Sequence, residues 1–301
     1  MNMSSGSKVL RNKIKENPIL KIGGAFDAMS AKLVEINGFD AVWAGSFAIS
    51  ATHAVPDASI MTMTEFLQVA KNMADSCEIP IIADWDTGFG GPSNVAHLVT
   101  QYENAGIAGI SIEDKIFPKQ NSLLKNGKQE LLSEKDFVAK IIAAKEAKND
   151  ENFFVIARTE ALIAEMGVDE AIKRANAYEK AGADAILIHS KKNTPDEIFE
   201  FCDLWKGKIP LVVVPTSYGS VKINDLISHD IKIVIYANQS LRIAHKSMSK
   251  LLNKLKNAQS LDDVKEEMSS MEEIFELQKM FDINSQEKDI ENKLKKLGYI
   301  S

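Results

Sequence analysis

Eight short runs along the chain are almost continuously apolar and rich in β-branched residues. They are LKIGGAF (20–26), FDAVWAG (39–45), IPIIADWD (79–86), IAGISIED (107–114), FFVIART (153–159), ADAILIHS (183–190), IPLVVVPT (209–216) and IKIVIYAN (231–238). A strand with one solvated face alternates apolar and polar residues, whereas a strand covered on both faces does not, so these runs predict a buried parallel sheet. Most are separated by segments with apolar residues at helical spacing: SAKLVEING, MTEFLQVAKNMADS, SNVAHLVTQYENAG, SEKDFVAKIIAAKEAK and VDEAIKRANAYEKAG. Ser93 and Ser133 stand where helix caps are expected. Asn-Gly or Ala-Gly runs into an apolar strand at NGFDAVWAG, AGIAGISIED and AGADAILIHS, which marks a helix end turning tightly into the next strand.

Eight strand–helix units predict an α/β fold of the (β/α)8 TIM-barrel type, with a doubly wound open sheet as the alternative. The barrel is expected over residues 1–255. After residue 239 only helical patterns remain: QSLRIAHKSMSKLLNKLKNA fits an eighth barrel helix, and 256–301 reads as a C-terminal helical extension. No strand is left for that extension to pair with, so it is expected to pack on the barrel or on a neighbouring subunit.

In such a barrel the C-terminal strand ends form one rim, where active sites are built. Followed to their ends, the eight runs give Asp27, Trp43 with Ser46, Asp84 with Asp86, Glu113 with Lys115, Arg158 with Glu160, His189 with Ser190, Thr216 and Asn238. Each taken alone is equally well a helix cap or a solvated group; their convergence on one rim favours a site. Asp84, Asp86 and Glu113 form a hard-oxygen set suited to Mg²⁺, which takes few direct protein ligands and keeps several waters. Arg158 is a bidentate clamp for a phosphoryl or carboxylate group, or else an internal ion pair with Glu160 or Glu113. His189 is a donor to a phosphoryl oxygen, or a buried, hydrogen-bonded histidine.

Two long loops interrupt the strand–helix rhythm. One, at about 46–63, carries Asp57; the other, at about 113–131, carries EDKIFPKQNS with Lys119, Asn121 and Ser122. Long loops in a compact barrel commonly act as lids or carry chemistry. Both leave the same end of the barrel, so they are expected to meet over the acids, with Glu113 in the floor and Lys119 to Ser122 in the cover.

Composition narrows the function. Over 301 residues, 45% are hydrophobic and 26% charged, enough for one large α/β domain or two smaller ones with a sizeable core. The net charge of -6 offers no broad cationic field, so no nucleic-acid partner is expected, and an anionic substrate needs a local positive site or a metal. Cys77 and Cys202 form no C-x-x-C pair, the N-terminal stretch lacks a signal-peptide apolar core, and no run reaches the ~18 apolar residues of a membrane helix. A soluble cytoplasmic protein acting on a small molecule, without a membrane partner, is expected. No GxxxxGK[ST] loop is present, and GFGG after Asp86-Thr87 is too short for a dinucleotide fingerprint.

The set EDKIFPKQNS, ISATHAVPD, DWDTGFG, ARTEALIA, GADAILIHSKK, VVVPTSY and VIYAN, in this order and spacing, resembles the isocitrate lyase/phosphoenolpyruvate mutase superfamily over roughly residues 8–280. EDK, five residues, then NS is similar to the signature of its mutases. The resemblance implies a barrel whose last helix swaps between subunits in homodimers or homotetramers. It also implies Mg²⁺-dependent interconversion of phosphoenolpyruvate and phosphonopyruvate, the P–C bond-forming step of phosphonate biosynthesis. Carried over residue by residue, Asp57 matches a nucleophilic aspartate, Asp84 a direct metal ligand, and Asp86 and Glu113 acids that hold metal-bound waters. Trp43, Ser46 and Phe47 match a substrate wall, Lys119, Asn121 and Ser122 a gating loop, and Arg158 and His189 phosphoryl contacts.

Three positions depart from that pattern: Gly45 for a common serine, Thr159 for a valine and Trp85 for a small residue. They bear on fine specificity and leave the charged set intact. The superfamily's phosphonopyruvate hydrolases share the loop around Asp57 but carry threonine where Asn121 stands, and they are the alternative activity. Its carbon–carbon lyases place a cysteine where PKQNS stands here, and a catalytically idle scaffold would not need the acids.

Overall fold

The computed structural model describes residues 5–300. In chain order its elements are α1 (Gly6–Glu16), β1 (Leu20–Ala25), α2 (Ala28–Ile36), β2 (Ala41–Ala44), α3 (Ser46–Thr52), α4 (Met63–Ser76), β3 (Ile81–Asp84) and α5 (Pro92–Asn104). They continue with β4 (Gly109–Glu113), α6 (Glu134–Ala147), β5 (Phe154–Thr159), α7 (Val168–Lys180), β6 (Ala185–Ile188), α8 (Asp196–Leu204), β7 (Leu211–Val213), α9 (Ile223–Ser228) and β8 (Ile231–Tyr236). Then come α10 (Gln239–Asn257), two short 3₁₀ turns, α11 (Met271–Leu277) and α12 (Met280–Lys296). The strands pair in parallel and close as β1-β2-β3-β4-β5-β6-β7-β8. Each falls inside one of the eight apolar runs, and the open-sheet alternative is excluded by the β1–β8 pairing.

The apolar residues divide as barrel geometry requires. Leu20, Ile22, Trp43, Ile82, Phe154, Ile156, Leu187, Val212, Ile233 and Ile235 form one buried cluster, and Leu10 of α1 joins it. The intervening residues pack outward on the helices, with Trp85 edge-on to Tyr102 and Phe137 edge-on to Tyr178. Where two layers touch closely only glycine fits: a Cβ on Gly24 would lie 2.2 Å from the Ala237 carbonyl oxygen.

Local details differ from expectation in three places. The 46–63 segment is not loop throughout, because Ser46–Thr52 forms a helical turn directly after β2, with Gly45 at its N-cap. Ser133 caps α6 by accepting from Asp136 N, but α5 begins at Pro92 with Gly91 at its N-cap, which puts Ser93 inside the first turn. Asp27 caps α2 through Ser30 N and is a structural acid.

The chain divides into two compact units between Arg242 and Ile243, inside α10 and ahead of the boundary expected at 255. The break falls within the first turns of α10, close to the point after residue 239 where the sequence pattern changes from strand to helix. In the second unit Lys250 and Lys254 both pair with Glu267, at 3.2 and 2.6 Å. Among the described residues no helix is long and apolar enough to cross a membrane.

Candidate active site

Strand register brings the charged residues to one level. Glu113 at the end of β4 is paired with Arg158 on β5, and Asp84 at the end of β3 with Ser111 on β4. Alternation along a strand sends neighbours to opposite faces, and the pair Glu113-Asp114 shows the effect. Glu113 lies 3.4 Å from Arg158 Nη2, whereas Asp114 accepts from Tyr178 Oη at 2.7 Å and Arg174 Nη1 at 3.1 Å on α7.

At this rim lies a cavity of about 160 Å³, lined by Trp43, Ser46, Phe47, Asp57, Asp84, Lys119, Asn121, Ser122, Arg158 and His189 together with Thr216 and Asn238. Ten of the twelve site residues expected from sequence therefore share one cavity. Asp86 and Glu113, nearly fully buried, do not line it but adjoin the lining residues Lys119 and Arg158. Neither cysteine lines it.

The two loops meet over the acids. Asn121 Nδ2 donates to Asp57 Oδ2 at 2.7 Å, and Lys119 N donates to Ser59 Oγ at 3.1 Å. The Lys119 ammonium reaches down to Asp57 Oδ1 at 3.0 Å, Asp86 Oδ1 at 2.6 Å and Ser46 Oγ at 3.3 Å. Ser46 Oγ in turn donates to Asp84 Oδ2 at 3.0 Å. The Lys119–Asp86 approach lacks hydrogen-bond alignment, because Asp86 Oδ1 has no donor despite the short distance; it is a contact of charges. Burial works against the charged Lys119, but the field of Asp86, Glu113, Asp57 and Asp84 outweighs it and raises the ammonium well above its ordinary value. Burial pushes the Asp86 carboxyl up to about 7 against the opposing charge of Lys119, with Asp84, Asp57 and Glu113 adding to the rise.

A second buried network lies on the β5 side. Glu160 Oε1 accepts from Arg158 Nε at 2.6 Å and touches His189 Nδ1 at 3.0 Å, while its Oε2 accepts from Ser122 Oγ at 2.5 Å and pairs with Lys115 at 3.2 Å. Both ion pairs that sequence offered for Arg158 are present. They do not use up the side chain: Nε and Nη2 are bonded, while Nη1 of this cavity-lining arginine has no acceptor among the described residues. Burial works against ionised Glu160, yet Arg158, and Lys115 beyond it, hold the carboxyl well below its usual range. Burial, with the Arg158 charge beside it, lowers His189 below the ordinary histidine value, so the ring is neutral near pH 7.

Among the described residues no three Asp, Glu, His or Cys side chains converge tightly enough to enclose a bare ion. The donor set nevertheless fits a hydrated one. Among the described residues both carboxylate oxygens of Asp86 and both of Glu113 are buried without an aligned hydrogen-bond donor, and Lys119 and Arg158 meet one oxygen of each only as ion pairs, an arrangement that costs stability unless waters or a further cation meet them. A magnesium ion that takes one direct carboxylate and reaches the others through its own waters satisfies such a set.

A family model described as phosphoenolpyruvate phosphomutase matches residues 10–256. The chain belongs to the phosphoenolpyruvate phosphomutase family. Two curated members are similar over nearly the whole length. The phosphonopyruvate hydrolase of Variovorax sp. (strain Pal2) is 43% identical over 273 residues, 90% of this chain and 94% of that protein. The phosphoenolpyruvate phosphomutase of Tetrahymena pyriformis is 41% identical over 269 residues, 89% of this chain and 90% of that protein. A solved phosphonopyruvate hydrolase, in complex with oxalate and Mg++, superposes with a TM-score of 0.89 at 40% identity, covering 95% of this chain and 99% of that one. The phosphoenolpyruvate phosphomutase family is enzymatic, and its named activities diverge at this level of identity.

Sequence reasoning placed Lys115 and Glu160 at the rim but gave Lys115 no role and Glu160 only that of an ion-pair partner, and it gave Asp114, Arg174 and Tyr178 no role. The available signal was the doubled acid Glu113-Asp114 at one strand end, which alternation must split between site and helix layer.

Proposed function

We propose that this chain interconverts phosphoenolpyruvate and phosphonopyruvate, with phosphonopyruvate hydrolysis as the alternative. The observation that carries the reading is the 2.7 Å hydrogen bond from Asn121 to Asp57, whose side chain is 5% exposed. An amide from the cover sits against the carboxylate where a hydrolase needs room for water. A phosphoryl group released in such a site meets the enolate again before it meets solvent.

The roles are those that the family resemblance implies, and the grouping of these residues at one rim supports them. Asp84 would hold Mg²⁺ directly, with Asp86 and Glu113 taking its waters; when bound, the ion supplies positive charge for the carboxylate and enolate oxygens of the pyruvoyl group. Trp43, Ser46 and Phe47 form the wall against which that planar group lies. Arg158, through its unbonded Nη1, and neutral His189 meet the phosphoryl oxygens and offset the charge of a loose transition state. Asp57 faces the phosphorus and receives or steers it as the P–C bond gives way to a P–O bond on the enol oxygen. Lys119, Asn121 and Ser122 keep water out.

The hydrolase reading is favoured by one finding, the 43% identity to the Variovorax enzyme. The test is ³¹P NMR of phosphonopyruvate with enzyme and Mg²⁺. Phosphoenolpyruvate as product supports the mutase, and inorganic phosphate alone rejects it. We further propose a cytoplasmic homodimer or homotetramer. Its support is the exposed apolar side chains of Ile243, Met248 and Leu252 on α10, and light scattering at a monomer mass would reject it.

A further inference from the structure

We propose that Lys115 is a positioning residue that latches the tip of the cover to Glu160 and thereby governs whether the phosphoryl group is transferred or lost to water. The partition part rests on the mutase reading above.

Lys115 leaves the end of β4 and is 2% exposed, unusual for a lysine that opens a surface loop. Its ammonium donates to the Gln120 carbonyl at 2.8 Å and to Ser122 Oγ at 2.7 Å, and it stands in ion-pair contact with Glu160 Oε2 at 3.2 Å. The base of the loop is zipped independently, by the Lys115–Leu131 bridge, Ile116 N to Glu130 O at 3.0 Å and Leu132 N to Asp114 O at 2.8 Å. The side chain therefore does not close the base; it reaches inside the loop and grips the tip. Gln120 and Ser122 flank Asn121, so the grip fixes the backbone on both sides of the residue that covers Asp57.

Glu160, the far end of the latch, also holds Arg158 Nε and touches His189. Ser122 Oγ accepts from both Lys115 and Arg158 while donating to Glu160. One carboxylate thus joins the cover to the cations at the phosphoryl end. Loss of the Lys115 charge leaves Glu160 paired to Arg158, so the barrel should persist while the tip loosens.

The two fates differ in one acceptor. In transfer the C3–P bond breaks and phosphorus bonds to the enol oxygen. In the leak phosphorus bonds to a water oxygen, C3–P breaks, one water proton ends on C3 and the products are pyruvate and phosphate. In Lys115→Met the phosphate share of product should rise roughly tenfold or more, since the loss of one charge-assisted hydrogen bond from a closed state is worth about that much and the variant loses two. Lys115→Arg should recover part of the wild-type ratio, since a guanidinium can still reach Ser122 and Glu160. The measurement is ³¹P NMR of phosphonopyruvate turnover, with hydrogen exchange of the Gln120–Ser122 amides alongside and thermal melting to confirm the fold. A folded Lys115→Met with the wild-type product ratio overturns the proposal. If that variant does not fold, Ser122→Ala, which removes one acceptor of the latch, must raise the phosphate share, and an unchanged ratio there overturns it equally. Wild-type enzyme that yields phosphate alone rejects the mutase reading instead; the exchange data still judge the latch, and unprotected tip amides in wild type would end it.

Discussion

Asn121 and Asp57 stand 64 positions apart in sequence yet meet Nδ2 to Oδ2 at 2.7 Å, each carried by a different loop. The contact depends on an amide facing a carboxylate. Asn121→Asp keeps the shape and replaces attraction by repulsion between two nearly buried acids, which should hold the cover off the site. Turnover of phosphonopyruvate is expected to fall about a hundredfold, the scale of a misplaced catalytic geometry, with the melting temperature little changed. Steady-state rates checked against a melt decide it, and a variant at wild-type rate removes the cover from the mechanism.

Lys119 is the one ammonium placed among Asp57, Asp86 and, by its field, Asp84 and Glu113. A cation already there opposes entry of another. Lys119→Met should therefore bind Mg²⁺ alone more tightly, by at least about tenfold at the effective dielectric of such sites, even as turnover is lost. Calorimetric titration of metal into substrate-free protein reads this directly. Weaker binding in the variant would mean that Lys119 helps to shape the metal site.

The fold was legible because parallel barrel strands are covered on both faces, so each of the eight runs stood out without alternation. The rim was legible for a related reason: a run such as IPIIADWD is apolar until the strand leaves the core, and its first polar residues must lie at one end. Side-chain destinations were not. Nothing local says that Lys115 and Lys119, both in a loop rich in charge, turn inward to Glu160 and to Asp57 with Asp86. Asp114, just past the end of β4, and Arg174 are likewise linked only through the packing of α7 on β5 and β6, a relation between residues 60 positions apart.

That Asp114–Arg174 pair is a test of stability separate from catalysis. Arg174 is 6% exposed and bridges Asp114, Tyr178 and the Leu132 carbonyl at the foot of the cover. Arg174→Met leaves a buried carboxylate short of its counter-charge and should cost about 3–5 kcal/mol in denaturant unfolding. Pairing it with Asp114→Asn should return part of the loss, because both charges are then gone. Strictly additive losses in the double variant would show that the two do not act as a pair.

Lys140 allows a test by pH. Its ammonium is buried on α6 and donates to the Thr87 carbonyl at 2.6 Å, and burial lowers its pKa from 10.5 to about 8 despite the nearby charge of Asp136. The unfolded chain therefore keeps this proton over a range in which the folded chain has released it. Between about pH 8 and 10.5 the unfolded state binds more protons, so the Lys140 contribution to stability rises with pH there and is constant below it. Near pH 10 the raised phenols of Tyr102, Tyr178 and Tyr218 act the other way, since only the unfolded chain ionises them, which confines the useful window to about 8–10. Lys140→Met lacks the lysine contribution and retains the tyrosines, so subtraction isolates it. Relative to wild type, the variant should be at its best near pH 7 and lose ground steadily up to pH 9.5. Melting temperatures of the two proteins in matched buffers measure that gap, and a gap independent of pH would show that Lys140 is charged in the fold as it is in water.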